Sequence, residues 1–241
     1  MPKKLFRAAC GLAAVLMLAG CGSKNKTSGS TVKRSAVKSE ELQFAGPQNG
    51  DPIAIFDTSL GEVRAVLYPQ YAPMAVENFI GLSEAGYYND TVIFRVQPDF
   101  AVEGGDASGE GTGGTTIWNG NGFPAESCDA LRHYAGALCA AKDDTTSQCY
   151  SVFYVVAAEP DSVDDSTQRA MTDAGWRSEV VDAYAQAGGV PSLDLTDTVF
   201  GQVYEGMGVI DAMANAAADE ETQRPTEDIV IRSVTIASYG E

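Results

Sequence analysis

A chain of 241 residues has room for one domain, or at most two small ones. Its formal net charge of −17 conceals a sharper imbalance: residues 51–241 set eight Lys and Arg against 31 Asp and Glu, a net of −23. Such a surface repels nucleic acid and bare anionic membrane, which excludes both as direct partners, and it favours solubility and basic clients.

The first twenty residues read as an address. Lys3, Lys4 and Arg7 form a positive leader without acidic residues, and residues 12–18 form an apolar stretch too short to span a bilayer. Small residues then precede Cys21, so residues 1–20 are expected to be a signal peptide. The Leu-Ala-Gly-Cys run at 18–21 resembles the lipobox of bacterial lipoproteins, which implies lipidation of Cys21 and an extracytoplasmic protein anchored to the cell membrane. Residues 21–50 are expected to be the lipid anchor and a flexible linker. They are rich in Ser, Thr, Gly, Lys and Gln, show no sustained period, and carry Lys24, Lys26, Lys33, Arg34 and Lys38.

The folded domain is expected over residues 51–241. Residues 53–57 and 62–68 read as paired strands, with Val63, Ala65 and Leu67 alternating against Arg64 and Val66. Pro73 suits the first turn of a helix that carries Val76, Phe79 and Ile80 and ends at Gly86. Further strands are expected at 92–96, 100–103, 137–141, 152–157, 198–204 and 229–237, with a glycine-rich loop over 107–123. The texture changes at 161–187, where Met171, Trp176, Val180, Val181 and Tyr184 lie among polar residues, as in an inserted helical segment. Many short strands and few helices predict a barrel or sandwich.

Several chemistries fail on inventory. His133 is the only histidine and has no nucleophile signature nearby, so it reads as structural. Cys128, Cys139 and Cys149 match no zinc spacing; they are buried small residues, or one disulfide and a free thiol. The run at 109–114 lacks the Gly-Lys-Ser/Thr ending of a phosphate loop, and Glu103, Asp106 and Glu110 flank it. The segment 91–114 is the most informative, because Arg95 is its only basic residue and sits between Phe94 and Val96, with Phe100 following. An arginine on an apolar, aromatic surface suits a neutral peptide better than a phosphate. By itself it also fits an ordinary ion-paired strand residue.

A pattern in these residues makes the first reading of Arg95 the leading one. Thr58-Ser59-Leu60-Gly61-Glu62, the stretch from Ala72 to Phe79, and Gly86-Tyr87-Tyr88-Asn89 resemble the opening of a cyclophilin domain. Phe94-Arg95-Val96, Pro98-Asp99-Phe100, Gly104-Gly105-Asp106 and the run from Gly109 to Gly114 are similar to that family's core signature. Phe123-Pro124-Ala125-Glu126, Leu131-Arg132-His133, Gly136-Ala137-Leu138 and Val199-Phe200-Gly201 continue in register. The resemblance implies a mainly β fold, an eight-stranded antiparallel barrel capped by two helices, and peptidyl-prolyl cis-trans isomerase activity without metal or cofactor. It implies Arg95 as the catalytic residue, with Phe100, Ala101, Glu103, Ala141, Phe153, Tyr154 and Leu193 binding substrate. Proline-containing peptides and unfolded exported proteins are the implied partners. Ala101, Glu103, Lys142, Val152, Tyr154, Ser192 and Asp197 depart from the family's usual residues. Those departures leave a non-catalytic proline-peptide-binding lipoprotein, or a scaffold docking through 161–187, as alternative readings.

Overall fold

The computed structural model describes residues 32–241, so the expected signal peptide and Cys21 lie outside the described residues. β1 (Pro52–Thr58) and β2 (Gly61–Leu67) pair antiparallel across a tight turn. The Thr58 hydroxyl ties that turn, donating to the Gly61 carbonyl at 2.6 Å and accepting the Leu60 N–H at 3.2 Å. α1 (Pro73–Glu84) opens on a proline, which has no N–H to lose there. Glu126 caps it from a distance, accepting the N–H groups of Met74 at 3.1 Å and Ala75 at 2.9 Å. A carboxylate there also complements the positive end of the helix. The helix stops at Gly86, whose φ of 72° lets its own N–H and that of Tyr87 return to the carbonyls of Ser83 and Leu82.

β3 (Thr91–Ile93) and β4 (Arg95–Gln97) are separated by Phe94 alone, and β5 (Ala101–Gly104) pairs with β4. Then come the two-residue β6 (Phe123–Pro124), β7 (Ala137–Lys142) and β8 (Gln148–Val156). α2 (Asp165–Asp173) and α3 (Ser178–Ala187) occupy the inserted segment, and β9 (Thr198–Glu205), α4 (Met207–Ala214) and β10 (Ile229–Ser238) finish the chain. The hydrogen-bonded order is β3-β10-β1-β2-β9-β7-β8-β5-β4. Its two ends, β3 and β4, follow each other in the chain across Phe94, so the antiparallel barrel is nearly closed. Among the described residues, counting those two as one gives eight barrel strands, with β6 paired to β8 beside them. That is the mainly β architecture expected.

Strand alternation sorts side chains into two layers. Inside the barrel, Phe56, Phe79, Tyr88, Phe153 and Phe200 pack at ring-centroid distances of 5.2 to 6.0 Å. α1 and α4 add Leu82, Ile210 and Met213 to that core. A second apolar layer lies on the outside of β2, β9, β7, β8 and β5: Val66, Ala101, Ala137, Cys139, Tyr154, Val156 and Val199. This wall is therefore apolar on both faces.

The described part of the expected linker differs from a solvated spacer. Arg34 forms an ion pair with Asp211 at 2.7 Å and donates to the Ala158 carbonyl at 3.0 Å. Gln43 is buried; it donates to the Arg132 carbonyl at 2.9 Å and to Gln202 at 2.8 Å, and accepts the Arg132 N–H at 2.6 Å. Phe44 packs on Tyr134 with ring centroids 4.8 Å apart. Average composition hid these three anchors, since one arginine and one amide suffice when buried partners await them.

Candidate active site

β4, β5 and β8 lie side by side, and their register sets Arg95 opposite Glu103 and Glu103 opposite Tyr154. All three project from the outer wall, because Val96, Val102, Phe153 and Val155 take the inward positions. The Arg95 guanidinium forms an ion pair with Glu103, both side chains mostly shielded from solvent, and donates to Gln223 Oε1 at 3.4 Å. Gln223 belongs to a turn whose own carbonyl accepts the Val96 N–H at 2.9 Å, so β4 and this turn are locked together.

Phe100, Ala101, Ala141, Tyr154 and Leu193 gather in the outer apolar layer, with Phe100, Ala141 and Leu193 only half-buried. They share the outer face with Arg95, and Phe100, Ala141 and Leu193 are the part of this apolar surface that reaches solvent. Phe153 does not join them. It is buried inside the barrel against Phe56, Phe79 and Tyr88, which corrects its expected place in the groove. Adjacent strand residues point to opposite faces, so Phe153 and Tyr154 cannot both line one surface.

Three of the departures from the family pattern meet in space. The Tyr154 hydroxyl donates to Asp197 Oδ2 at 3.2 Å, and Lys142 Nζ lies 3.3 Å from Asp197 Oδ1. Asp197 thus holds the hydroxyl that distinguishes Tyr154 from a phenylalanine. Ala141 and Lys142 also border a depression of about 390 Å³ whose other walls include Gly113, Gly114, Tyr150 and Val152.

The glycine-rich loop is organised by its own carboxylate. Asp106, 2% exposed, accepts the N–H groups of Ser108 at 2.9 Å, Thr112 at 3.0 Å and Gly113 at 3.0 Å, and the Ser108 hydroxyl at 2.7 Å. A Cβ on Gly113 would sit 2.7 Å from Asp106 Oδ1, so glycine admits the carboxylate. Burial pushes the Asp106 carboxyl up, yet these bonds to Ser108, Gly113 and Thr112 outweigh it and hold it below the ordinary aspartate range. A depressed folded-state value means the loop's stabilisation is complete above the unfolded aspartate pKa and disappears as pH falls through the folded one. The Thr112 and Gly113 amide resonances should therefore shift together below roughly pH 4, and Asp106→Asn should abolish that step. An unchanged titration in the variant would refute the assignment.

The cysteines settle simply. Cys128 is a half-buried free thiol and Cys149 a buried one, while Cys139 lies buried in the layer under Tyr154. Burial above all pushes the Cys149 thiol up to about 11. His133 is buried with its ring Nδ1 2.9 Å from Asp194, in keeping with a structural role. The sequence offered no signal for Gln223, which lies 128 residues from Arg95 in an unremarkable polar turn.

The comparisons with known proteins bear on the whole barrel. A family model described as cyclophilin type peptidyl-prolyl cis-trans isomerase/CLD matches residues 53–236. A Staphylococcus aureus relative named putative peptidyl-prolyl cis-trans isomerase is 34% identical over 189 residues, covering 78% of this chain and 93% of that protein. A Streptococcus pyogenes relative, named putative bifunctional phosphatase/peptidyl-prolyl cis-trans isomerase, is 33% identical over 204 residues, 82% of this chain and 42% of that protein. A crystal structure of a Cryptosporidium parvum cyclophilin type isomerase in the presence of the dipeptide Ala-Pro shares the fold with a TM-score of 0.61 at 23% identity, covering 77% of this chain and 99% of that one. A second structure of the same protein gives a TM-score of 0.62 at 22% identity, covering 78% and 98%. Because the match reaches every barrel strand and the sequence identity extends over most of both chains, this protein belongs to the cyclophilin-type peptidyl-prolyl cis-trans isomerase family.

Proposed function

We propose that this chain accelerates cis–trans exchange of X-Pro bonds in peptides lying across the outer groove, with Arg95 as the catalytic residue. The observation that carries this reading is the placement of the guanidinium, held by Glu103 and Gln223 beside the apolar floor of Phe100, Ala101, Tyr154 and Leu193. An X-Pro bond is nearly balanced between isomers, but its partial double bond imposes a barrier of about 18–20 kcal/mol. Twisting the bond removes resonance and returns a lone pair to the prolyl nitrogen. A fixed donor there binds the twisted amide better than the planar one, which lowers the barrier without a covalent step. The apolar floor holds the proline ring by excluding water. Exchange NMR on an Ala-Pro peptide tests this directly, and no acceleration by the protein would overturn it.

Glu103 tunes the arginine in this reading. Its charge fixes the guanidinium but also offsets the field that the prolyl nitrogen would feel. Glu103→Gln keeps an acceptor and removes the offset, so kcat/KM is expected to rise about fivefold, roughly 1 kcal/mol of barrier. A fall would show that the charge serves orientation instead. The same ion pair is the observation that favours the second reading, a groove that holds proline segments without turning them over. Under that reading peptide binding survives Arg95→Ala and no isomerisation is detected in either protein.

The setting proposed is the outer surface of the cell membrane, with lipid on Cys21 and exported, unfolded proteins as clients. The signal-like leader, the Leu-Ala-Gly-Cys run and the acidic domain support it. Transfer of the protein to the soluble fraction in Cys21→Ala is the expected result, and unchanged membrane association would count against the anchor.

A further inference from the structure

We infer that Tyr184, on the inserted helix α3, is a positioning residue for the groove, acting through Asp194 on the turn that carries Leu193. The inference rests on the groove reading above and concerns which residues hold the groove in shape. Tyr184 is fully buried, its ring packed against Tyr134 at 4.4 Å and Trp176 at 6.3 Å. Its hydroxyl donates to Asp194 Oδ2 at 2.9 Å. Burial first, and then neighbouring Asp194, push the phenol well above its ordinary value, so it stays a donor.

Asp194 is a junction. Its other oxygen accepts the His133 N–H at 2.8 Å and lies 2.9 Å from the His133 ring Nδ1, while Arg132 Nη1 is 3.5 Å from Oδ2. The His133 ring stacks on Tyr154 in the groove layer, with centroids 6.3 Å apart and planes 16° apart. On the far side of the turn, Asp197 holds Tyr154 and Lys142. Between these two pins Leu195 is 55% exposed and adopts φ 63°, a left-handed conformation that costs a leucine energy. Such strain persists only where the surroundings over-determine the backbone. Loosening the Asp194 pin lets Leu195 relax, and Leu193, two residues earlier, leaves its place on the groove floor.

The test uses the full-length protein and four variants, reading peptide affinity, kcat and KM, and the amide shifts of residues 193–197. Tyr184→Phe keeps the ring packing and removes the hydroxyl; it should weaken binding of an Ala-Pro peptide about fivefold, through KM more than kcat, and move those amides. Tyr134→Phe, which removes a buried hydroxyl that has no hydrogen-bond partner among the described residues, should leave both unchanged. Adding Leu195→Gly to Tyr184→Phe removes the strain that the pin opposes, so affinity should return to within about twofold of the parent. Leu195→Gly alone should bind peptide as the parent does. Unmoved amides in Tyr184→Phe, or an affinity loss that Leu195→Gly fails to recover, would overturn the inference. If the parent binds no peptide, the groove reading fails, and the amide shifts alone decide whether Tyr184 positions the turn.

Discussion

Alanine at position 95 is expected to lower kcat/KM toward an Ala-Pro peptide about 10²–10³-fold, the loss typical when one donor to developing charge is removed. Stability enters the same experiment. The variant strands Glu103, whose side chain is 11% exposed, without the cation that compensates its burial. Breaking a buried pair from one side costs about 3–5 kcal/mol, and the partial exposure of both groups trims this to at most about 3 kcal/mol. Arg95→Ala combined with Glu103→Gln separates the two effects. Urea unfolding should show stability largely recovered, while exchange NMR should show activity still absent. Recovery of isomerisation in the double variant would mean that Arg95 is a structural ion-pair partner and nothing more.

Phe153→Ala is expected to cost about 3–5 kcal/mol in unfolding free energy, the range for deleting a buried phenylalanine. Phe153 touches Phe56, Phe79 and Tyr88, so its loss opens a cavity where strands β1 and β8 meet α1. Tyr154→Phe, one residue on, should cost only about 1 kcal/mol, the worth of its bond to Asp197. Under conditions where both variants remain folded, Phe153→Ala should bind an Ala-Pro peptide nearly as the parent does. Weakened peptide binding with unaltered stability would return Phe153 to the groove and contradict its place in the core.

Those neighbouring aromatics show where the sequence was legible and where it was not. Strand β2 is legible over its first half, where Glu62 and Arg64 alternate with Val63 and Ala65, although Val66 then joins the outer apolar layer. β8 is not, because the wall it belongs to is apolar on both faces and residues 152–158 form one nearly continuous apolar run. Nothing in that run tells inward from outward until the register with β5 is known. Helix α4, the second of the two capping helices that the resemblance implies, has no local signature of its own, because eight residues are too few to establish a period against the strand that precedes them. The ordered stretch around Arg34 and Gln43 was hidden because its partners, Asp211, Arg132 and Gln202, are far along the chain.

By itself the sequence determined the family, the barrel and the candidate arginine, since these rest on ordered local motifs and on residue types that chemistry cannot exchange. Its acidic composition also bears on the class of partner, because net charge sums over residues wherever they fold. Only the tertiary structure decided that Glu103, across one strand, and Gln223, from a distant turn, meet Arg95, and that Asp194 is tied to Tyr184 of the inserted helix. Hydrogen bonds and ion pairs act over about 3 Å in space and are indifferent to separation along the chain. Folding the barrel brings those partners together, and no local pattern could have announced them.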